Sequence, residues 1–236
     1  MQYTNFHGHT IAIGSRTDYI DALHRILAGK TATQVLTLNP EFVVLAARNA
    51  ALTQLTQAPV VVIPDGIGLV WALRSRTFRV ERYPGADSVL DICTFAEDSG
   101  HSVAVLVTSN GLSGPEEIRT ALIQRFPNLR LLVVEETQSD YLERLQEYQP
   151  QVLFVTFGQP RQDLWAAQHL QEIPALRLAM GVGGAFDFLT GKRKRAPRLM
   201  QRLGVEWLWR LFIQPQRLPR MFRATFGFWY TILTTP

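Results

Sequence analysis

Five short clusters along the 236-residue chain bring together side chains that can do chemistry. Val60-Val61-Val62-Ile63 runs into Pro64-Asp65-Gly66, so an apolar run delivers one carboxylate to its end, where a general base would stand. A lone acid at such a point also serves as a helix cap, and on position alone both readings of Asp65 stay open. Thr37-Leu38-Asn39-Pro40-Glu41 sets two polar side chains before a proline-started helix. Asn39 is a good N-cap, and the exposed N–H groups with Thr37 and Asn39 also form a cradle for a phosphate or a sugar. Arg82 and Asp87 flank a proline turn and can be ordinary surface. Gly158-Gln159-Pro160-Arg161-Gln162-Asp163 adds amides and an acid. Gly181-Val182-Gly183-Gly184-Ala185-Phe186-Asp187 lets the backbone approach a ligand and offers Asp187 to sugar hydroxyls, or is simply a glycine-rich turn. It is not the dinucleotide fingerprint, because the glycine spacing is wrong and it follows the last strand instead of the first.

Some chemistry has no residues to carry it. The chain has no Asp-x-Asp pair, and its five histidines are dispersed, with His7 and His9 in an N-terminal stretch expected to be mobile. The expectation is metal-independent chemistry without a cofactor, in which arginines meet any developing phosphate charge by bidentate contacts. Cys93 is the single cysteine and sits in an apolar helical pattern, so it reads as a buried, inert thiol in a reducing compartment.

The elements that must position these clusters are legible as an alternation. Aliphatic or β-branched runs at Thr33–Leu38, Val60–Ile63, Val103–Val107, Leu129–Val134, Val152–Phe157 and Arg177–Val182 are each followed by a turn and a helical pattern. Helices are predicted at Pro40–Ala50, Gly66–Arg76, Ala86–Glu97, Pro115–Phe126, Ser139–Glu147 and Pro160–Leu170, with Pro40, Pro115 and Pro160 in first turns. This predicts an α/β fold: a Rossmann-like parallel sheet covered by helices, with the ligand crevice at the carboxyl ends of the strands. The N-terminus lacks a basic-then-apolar leader and reads as a lead into a strand near Thr10–Ile13; no run is long and apolar enough to span a bilayer.

Residues 1–191 read as the core and residues 192–236 as a basic, helical appendage. Between Lys192 and Arg223 lie ten Lys or Arg and one acid, Glu206; the chain is +4 overall, so removing the +9 of this segment leaves −5. Eight aromatic residues fall between Trp207 and Tyr230. Such a segment fits an anionic bilayer face, a single-stranded nucleic acid, or simply a basic helix packed on the core by its apolar side.

Taken together, the five clusters and the run from Lys194-Arg195-Ala196-Pro197 to Glu206-Trp207-Leu208-Trp209-Arg210 resemble the WecG/TagA/CpsF family of bacterial glycosyltransferases from roughly Thr33 to Arg223. The resemblance implies inverting transfer of a sugar, often N-acetylmannosamine or its uronic acid, from a UDP-sugar donor to a polyprenyl-diphosphate-linked sugar acceptor. It implies Asp65 as base, Thr37 and Asn39 as pocket residues, and Arg82, Gln162 and Asp187 as donor contacts. Gln159, Asp163 and Arg195 join the substrate-binding set through the same motifs, and Arg210, Arg217 and Arg220 look like appendage arginines that reach the diphosphates. A cytoplasmic protein held peripherally on the inner face of the membrane follows, and homo-oligomers through the apolar tail stay open. The chain departs from the family's usual pattern at Thr108–Pro115 and at Glu135-Glu136-Thr137, both near expected donor recognition. The alternative is a nucleotide- or nucleic-acid-binding module that uses the basic aromatic tail.

Overall fold

The computed structural model describes residues 1–56, 60–202, 205–213 and 218–234, except for the side chains of Arg202, Arg210, Pro219, Arg220 and Arg223. The chain opens with an antiparallel hairpin, β1 (Gln2–Phe6) and β2 (His9–Ile13), and a helix, α1 (Arg16–Ala28). Six strands follow: β3 (Thr33–Leu38), β4 (Val60–Pro64), β5 (Ser102–Val107), β6 (Arg130–Glu135), β7 (Val152–Val155) and β8 (Leu178–Gly181). They form one sheet in the order β4-β3-β8-β7-β5-β6, with every neighbouring pair parallel. The intervening helices are α2 (Pro40–Ala46), α3 (Ala50–Leu55), α4 (Ile67–Ser75), α5 (Gly85–Asp98), α6 (Pro115–Arg125), α7 (Tyr141–Tyr148) and α8 (Arg161–His169). The chain closes with α9 (Phe186–Leu189), α10 (Arg198–Arg202), α11 (Glu206–Ile213) and α12 (Leu218–Thr234). The Rossmann-like α/β expectation is met.

The strand sequences follow from this layering. β5 (Ser-Val-Ala-Val-Leu-Val) and β7 (Val-Leu-Phe-Val) are buried along their whole length, as continuous apolar runs must be when helices cover both faces. Edge strand β6 is only partly covered. On one side Tyr19 of α1 stacks on Tyr83 beside Val89 and Ile92 of α5. Elsewhere Phe6 and Ile11 of the hairpin pack with Phe42 of α2 and Leu69 of α4. The buried Cys93 thiol lies in the first of these cores, and burial pushes its pKa up to about 12, so it stays protonated.

Three local expectations are corrected. The helix begun at Pro40 stops at Ala46, because Asn49 accepts a hydrogen bond from the Ala51 N–H at 3.1 Å and so caps a separate helix, α3. Pro160 stands just before α8, at its N-cap, instead of in its first turn. The N-terminal stretch is not loose. Phe6 and Ile11 are core residues, and His9 is buried with Nδ1 2.7 Å from Thr56 Oγ1. Burial, with His7 nearby as the lesser cause, lowers the His9 pKa to about 4 and keeps it neutral.

The last helix has two faces. Phe228 is fully buried among Phe42, Val43 and Leu69, and Gly227 lies against Val44 of α2, so α12 is anchored to the sheet's helical cover. On the other side Phe222 stacks on Phe226 at 5.3 Å, and Tyr230 and Leu233 are 71% and 80% exposed. Phe212 of α11 is 84% exposed. Among the described residues, no helix is long and apolar enough to cross a membrane.

Candidate active site

The chain runs from β3 out to β4 on one flank and from β5 out to β6 on the other, and β8 and β7 fill the centre. The loops therefore part over the carboxyl ends of the central strands, and a cavity of about 640 Å³ opens there. Its wall includes Thr37, Asn39, Asp65, Gln159, Gln162, Asp187 and Arg195, so the structure brings these sequence candidates together. α11 and α12 supply Glu206, Trp207, Met221 and Ala224 to the same wall. Among the described residues no group of three or more His, Cys, Asp or Glu side chains is placed to hold a metal ion.

Asp65 is held from both sides. Its N–H donates to the Leu38 carbonyl at 2.9 Å, which pins the end of β4 to the end of β3. Arg82 Nε donates to the Asp65 carbonyl, and Arg82 Nη2 lies 3.4 Å from Asp65 Oδ1 and 3.2 Å from Glu206 Oε2. One guanidinium thus bridges the strand-end carboxylate and the first residue of α11. Burial works against the Arg82 cation, but the two carboxylates outweigh it and raise its pKa. Glu206 is nearly covered, whereas the Asp65 side chain keeps 26% of its surface open toward the cavity.

The β3 end is a chain of amides. Asn39 caps α2 through Oδ1, which accepts from the Phe42 N–H at 3.0 Å, and its Nδ2 donates to Gln159 Oε1 at 2.6 Å. Gln159 Nε2 donates in turn to the Thr37 carbonyl at 2.8 Å. The cap and the cradle are therefore one arrangement: Asn39 ends the strand, starts the helix and ties both to the loop after β7.

Gln162 joins that loop to the one after β8. Its Oε1 accepts from the Gly158 N–H at 3.0 Å and from the Gly183 N–H at 2.9 Å. Gly183 has φ +50°, a conformation that favours glycine, and a Cβ on Gly181 would fall 2.5 Å from Gln162 Cγ. Asp163 follows it but is fully buried and lies outside the cavity lining.

Two further carboxylates brace arginines. Asp187 Oδ1 accepts from Ser113 Oγ at 2.9 Å, while its Oδ2 is 3.3 Å from Arg193 Nη1. Asp87 Oδ1 holds Arg195. Beyond the cavity edge Glu136 accepts from Thr108 Oγ1 at 2.7 Å and from the Ser109 N–H at 3.2 Å, and it pairs with Arg161, whose guanidinium lies 4.4 Å over Phe157. Burial opposes the Glu136 charge, yet Thr108, Arg161 and Ser109 hold its pKa below the ordinary value. Ser113 and Arg193 were given no role from sequence, and Arg161 was named only as part of the cluster after β7. Ser113 belongs to the Thr108–Pro115 departure already noted, and Arg193 hides in the run Lys192–Arg195. Arg217 lies outside the described residues, as do the side chains of Arg210 and Arg220.

A strand-end carboxylate shared with an arginine, amide-lined loops and several braced guanidiniums suit transfer between polar, phosphate-bearing ligands. Comparison with known proteins agrees: the family model described as "Glycosyl transferase WecG/TagA/CpsF family" matches residues 4–235. The chain belongs to this glycosyl transferase family. Among the relatives of this WecG/TagA/CpsF member is the N-acetylglucosaminyldiphosphoundecaprenol N-acetyl-beta-D-mannosaminyltransferase of Staphylococcus aureus strain MRSA252. It is 29% identical over 192 residues, covering 79% of this chain and 74% of the relative. The protein of the same description from strain NCTC 8325 / PS 47 is 28% identical over the same shares. Family membership favours glycosyl transfer over the nucleic-acid-binding alternative.

Proposed function

We propose that this chain moves a hexose, N-acetylmannosamine, its uronic acid or a close relative, from a UDP-sugar to a sugar carried on a polyprenyl diphosphate. In this reading the acceptor hydroxyl attacks the anomeric carbon as its proton passes to Asp65, and the bond from that carbon to UDP breaks with inversion. A hydroxyl is a weak nucleophile at neutral pH, so a carboxylate in hydrogen-bond reach is what the step needs. The observation that carries the proposal is Asp65 at the end of β4, open to the cavity and fixed through Arg82 to Glu206. The names of the Staphylococcus aureus relatives, which act with N-acetylmannosamine on a diphosphoundecaprenol-linked acceptor, support the substrate class.

The leaving diphosphate gathers charge, and preorganised cations stabilise it. Arg193 and Arg195 on the cavity wall serve, together with Arg210, Arg217 and Arg220 of the tail, and Arg82, Gln159, Gln162 and Asp187 shape the donor side. The acceptor's lipid stays in the bilayer, so the enzyme works peripherally on the inner membrane face. The exposed apolar side of α12 beside the basic segment supports this. The test is a panel of UDP-sugars with a polyprenyl-diphosphate-linked N-acetylglucosamine acceptor, run with excess EDTA. Product is expected with one UDP-sugar despite chelator and is lost on Asp65→Asn. Normal rates in Asp65→Asn would remove Asp65 from the chemistry, and full loss with EDTA would remove the metal-free mechanism.

A further inference from the structure

Glu206 is the one acid among the ten Lys and Arg of residues 192–223. In a segment otherwise built of cations and aromatic rings, its carboxylate is not turned to water. The side chain keeps only 5% of its surface exposed and lies on the cavity wall at the start of α11. What it meets is Arg82, whose Nη2 stands 3.2 Å from Glu206 Oε2 and 3.4 Å from Asp65 Oδ1. Arg82 itself is not loose. Its Nε donates to the Asp65 carbonyl, and the next N–H, that of Tyr83, donates to the Pro64 carbonyl at 3.0 Å, so side chain and backbone both fix it beside the end of β4. An arginine held there neutralises Asp65 if it has no other anion to answer. With Glu206 present the three groups carry one net negative charge. Both carboxylates reach the same nitrogen, which puts their nearest oxygens no more than about 7 Å apart.

We propose that Glu206 is a positioning residue whose charge takes up the Arg82 cation, so that Asp65 stays an effective proton acceptor. The inference rests on the reading of Asp65 as the base. Two carboxylates at that spacing, partly screened by solvent, disfavour each other's charge by about a factor of ten, and a carboxylate disfavoured in this way takes a proton more readily. About half of that factor, on a logarithmic scale, reaches the rate while the proton is in flight, which makes the charge of Glu206 worth about threefold in transfer. In this role Glu206 acts through Arg82 and not on the reacting atoms. The same contact joins the appendage to the chemistry. α11 and α12 carry the outward apolar side, with Phe212 84% and Phe226 65% exposed, and the first residue of α11 completes the charge balance at the end of β4. An unseated α11 would leave Arg82 to Asp65 alone and so weaken the base.

Two substitutions separate charge from reach. Glu206→Gln keeps an oxygen at the distance of Arg82 Nη2 and removes the charge, whereas Glu206→Asp keeps the charge and draws it back by one methylene. Single-turnover rates are measured with the full chain at saturating UDP-sugar and polyprenyl-diphosphate-linked acceptor, beside Asp65→Asn, and hydrogen exchange of residues 206–213 is followed without ligand. The expected result is a rate about threefold lower in Glu206→Gln and near the native value in Glu206→Asp, with native exchange in α11 of Glu206→Gln. A hydrogen-bonding post for α11 predicts the reverse order, with Glu206→Asp the slower. An acid that only steadies the first turn of α11 predicts faster exchange in Glu206→Gln. Either result overturns the proposal, as does a native rate in Glu206→Gln or a deficit found only below saturating UDP-sugar. If Glu206→Gln does not fold, Glu206→Asp decides alone, since a loss of rate there places the role in reach and not in charge. Normal turnover in Asp65→Asn, or no transfer from any UDP-sugar, defeats the base reading and this inference with it. An inactive Asp65→Asn beside an unaffected Glu206→Gln defeats this inference alone.

Discussion

Gly181→Ala tests whether the cavity depends on one amide. The added Cβ would sit 2.5 Å from Gln162 Cγ and 2.6 Å from its Cδ and Nε2. Gln162 is almost fully buried against the wall, so making room means turning its side chain out into the cavity. It has to leave Gly158 and Gly183, whose N–H groups then lose their acceptor. A buried donor left unsatisfied costs about 1–3 kcal/mol, and since both glycines are only partly buried the variant should lose about 2 kcal/mol. Gln162→Ala removes the same two bonds and should cost a similar amount. The two changes should not add: once Gln162 is truncated, the methyl of Gly181→Ala meets nothing. A double-mutant cycle by urea denaturation at fixed pH is therefore expected to give a coupling of about 2 kcal/mol, with the double variant no worse than either single one by more than about 0.5 kcal/mol. Additive losses would refute the argument that Gly181 is glycine for the sake of Gln162.

Three further outcomes are expected. Asp163 carries a pKa raised to about 7 from 3.8, so the folded protein keeps a proton that the unfolded chain has released, and this component of stability is lost as pH rises through 7. From pH 5 to pH 8 that amounts to about 3 kcal/mol, and urea midpoints of Asp163→Asn should gain on the native protein by that much over the interval. Phe228→Ala empties a site between α2 and α4 and should cost about 3–5 kcal/mol, read as a lower thermal midpoint together with faster proteolysis within α12; an unchanged midpoint would mean that the helix is not anchored there. Arg82→Met leaves Asp65 and Glu206 without the cation they share; allowing for the partial exposure of Asp65, about 2–3 kcal/mol should be lost, with the deficit shrinking in high salt.

Much of this architecture is legible in the sequence because parallel strands buried on both faces have to be continuous apolar runs, and Thr33–Leu38 or Val103–Val107 admit little else. The clusters that follow such runs must share one edge of the sheet, which is why Thr37, Asn39, Asp65, Gln159 and Asp187 converge although up to 150 positions separate them. What stayed hidden is pairwise. Nothing in Gln162 says that its oxygen serves two glycines 25 residues apart, at Gly158 and Gly183, and nothing in Asp163 says that it is fully buried outside the cavity lining while its neighbour lines the cavity. The amphipathic pattern of the tail marked an apolar face but not its division, with Phe228 sent inward and Phe226 outward two positions earlier. The hairpin at Gln2–Ile13 is short and polar on one side, and its anchoring by Phe6, His9 and Ile11 depends on partners far along the chain.

The braced arginines carry a consequence for how a ligand arrives. Among the described residues each cationic side chain on the cavity wall stands against an acid, Arg193 against Asp187, Arg195 against Asp87 and Arg161 against Glu136, and Arg82 behind the wall stands against Asp65 and Glu206. At distances beyond about 10 Å these charges largely cancel, so this wall exerts little pull on an anion in bulk solvent. Capture at the wall is a short-range matter of displacing a carboxylate's partner and fitting the fork of a guanidinium. The association rate of a phosphorylated ligand with this part of the protein should therefore depend weakly on ionic strength while its dissociation rate depends strongly on shape. A wall built this way sorts anions after contact and does not gather them from afar.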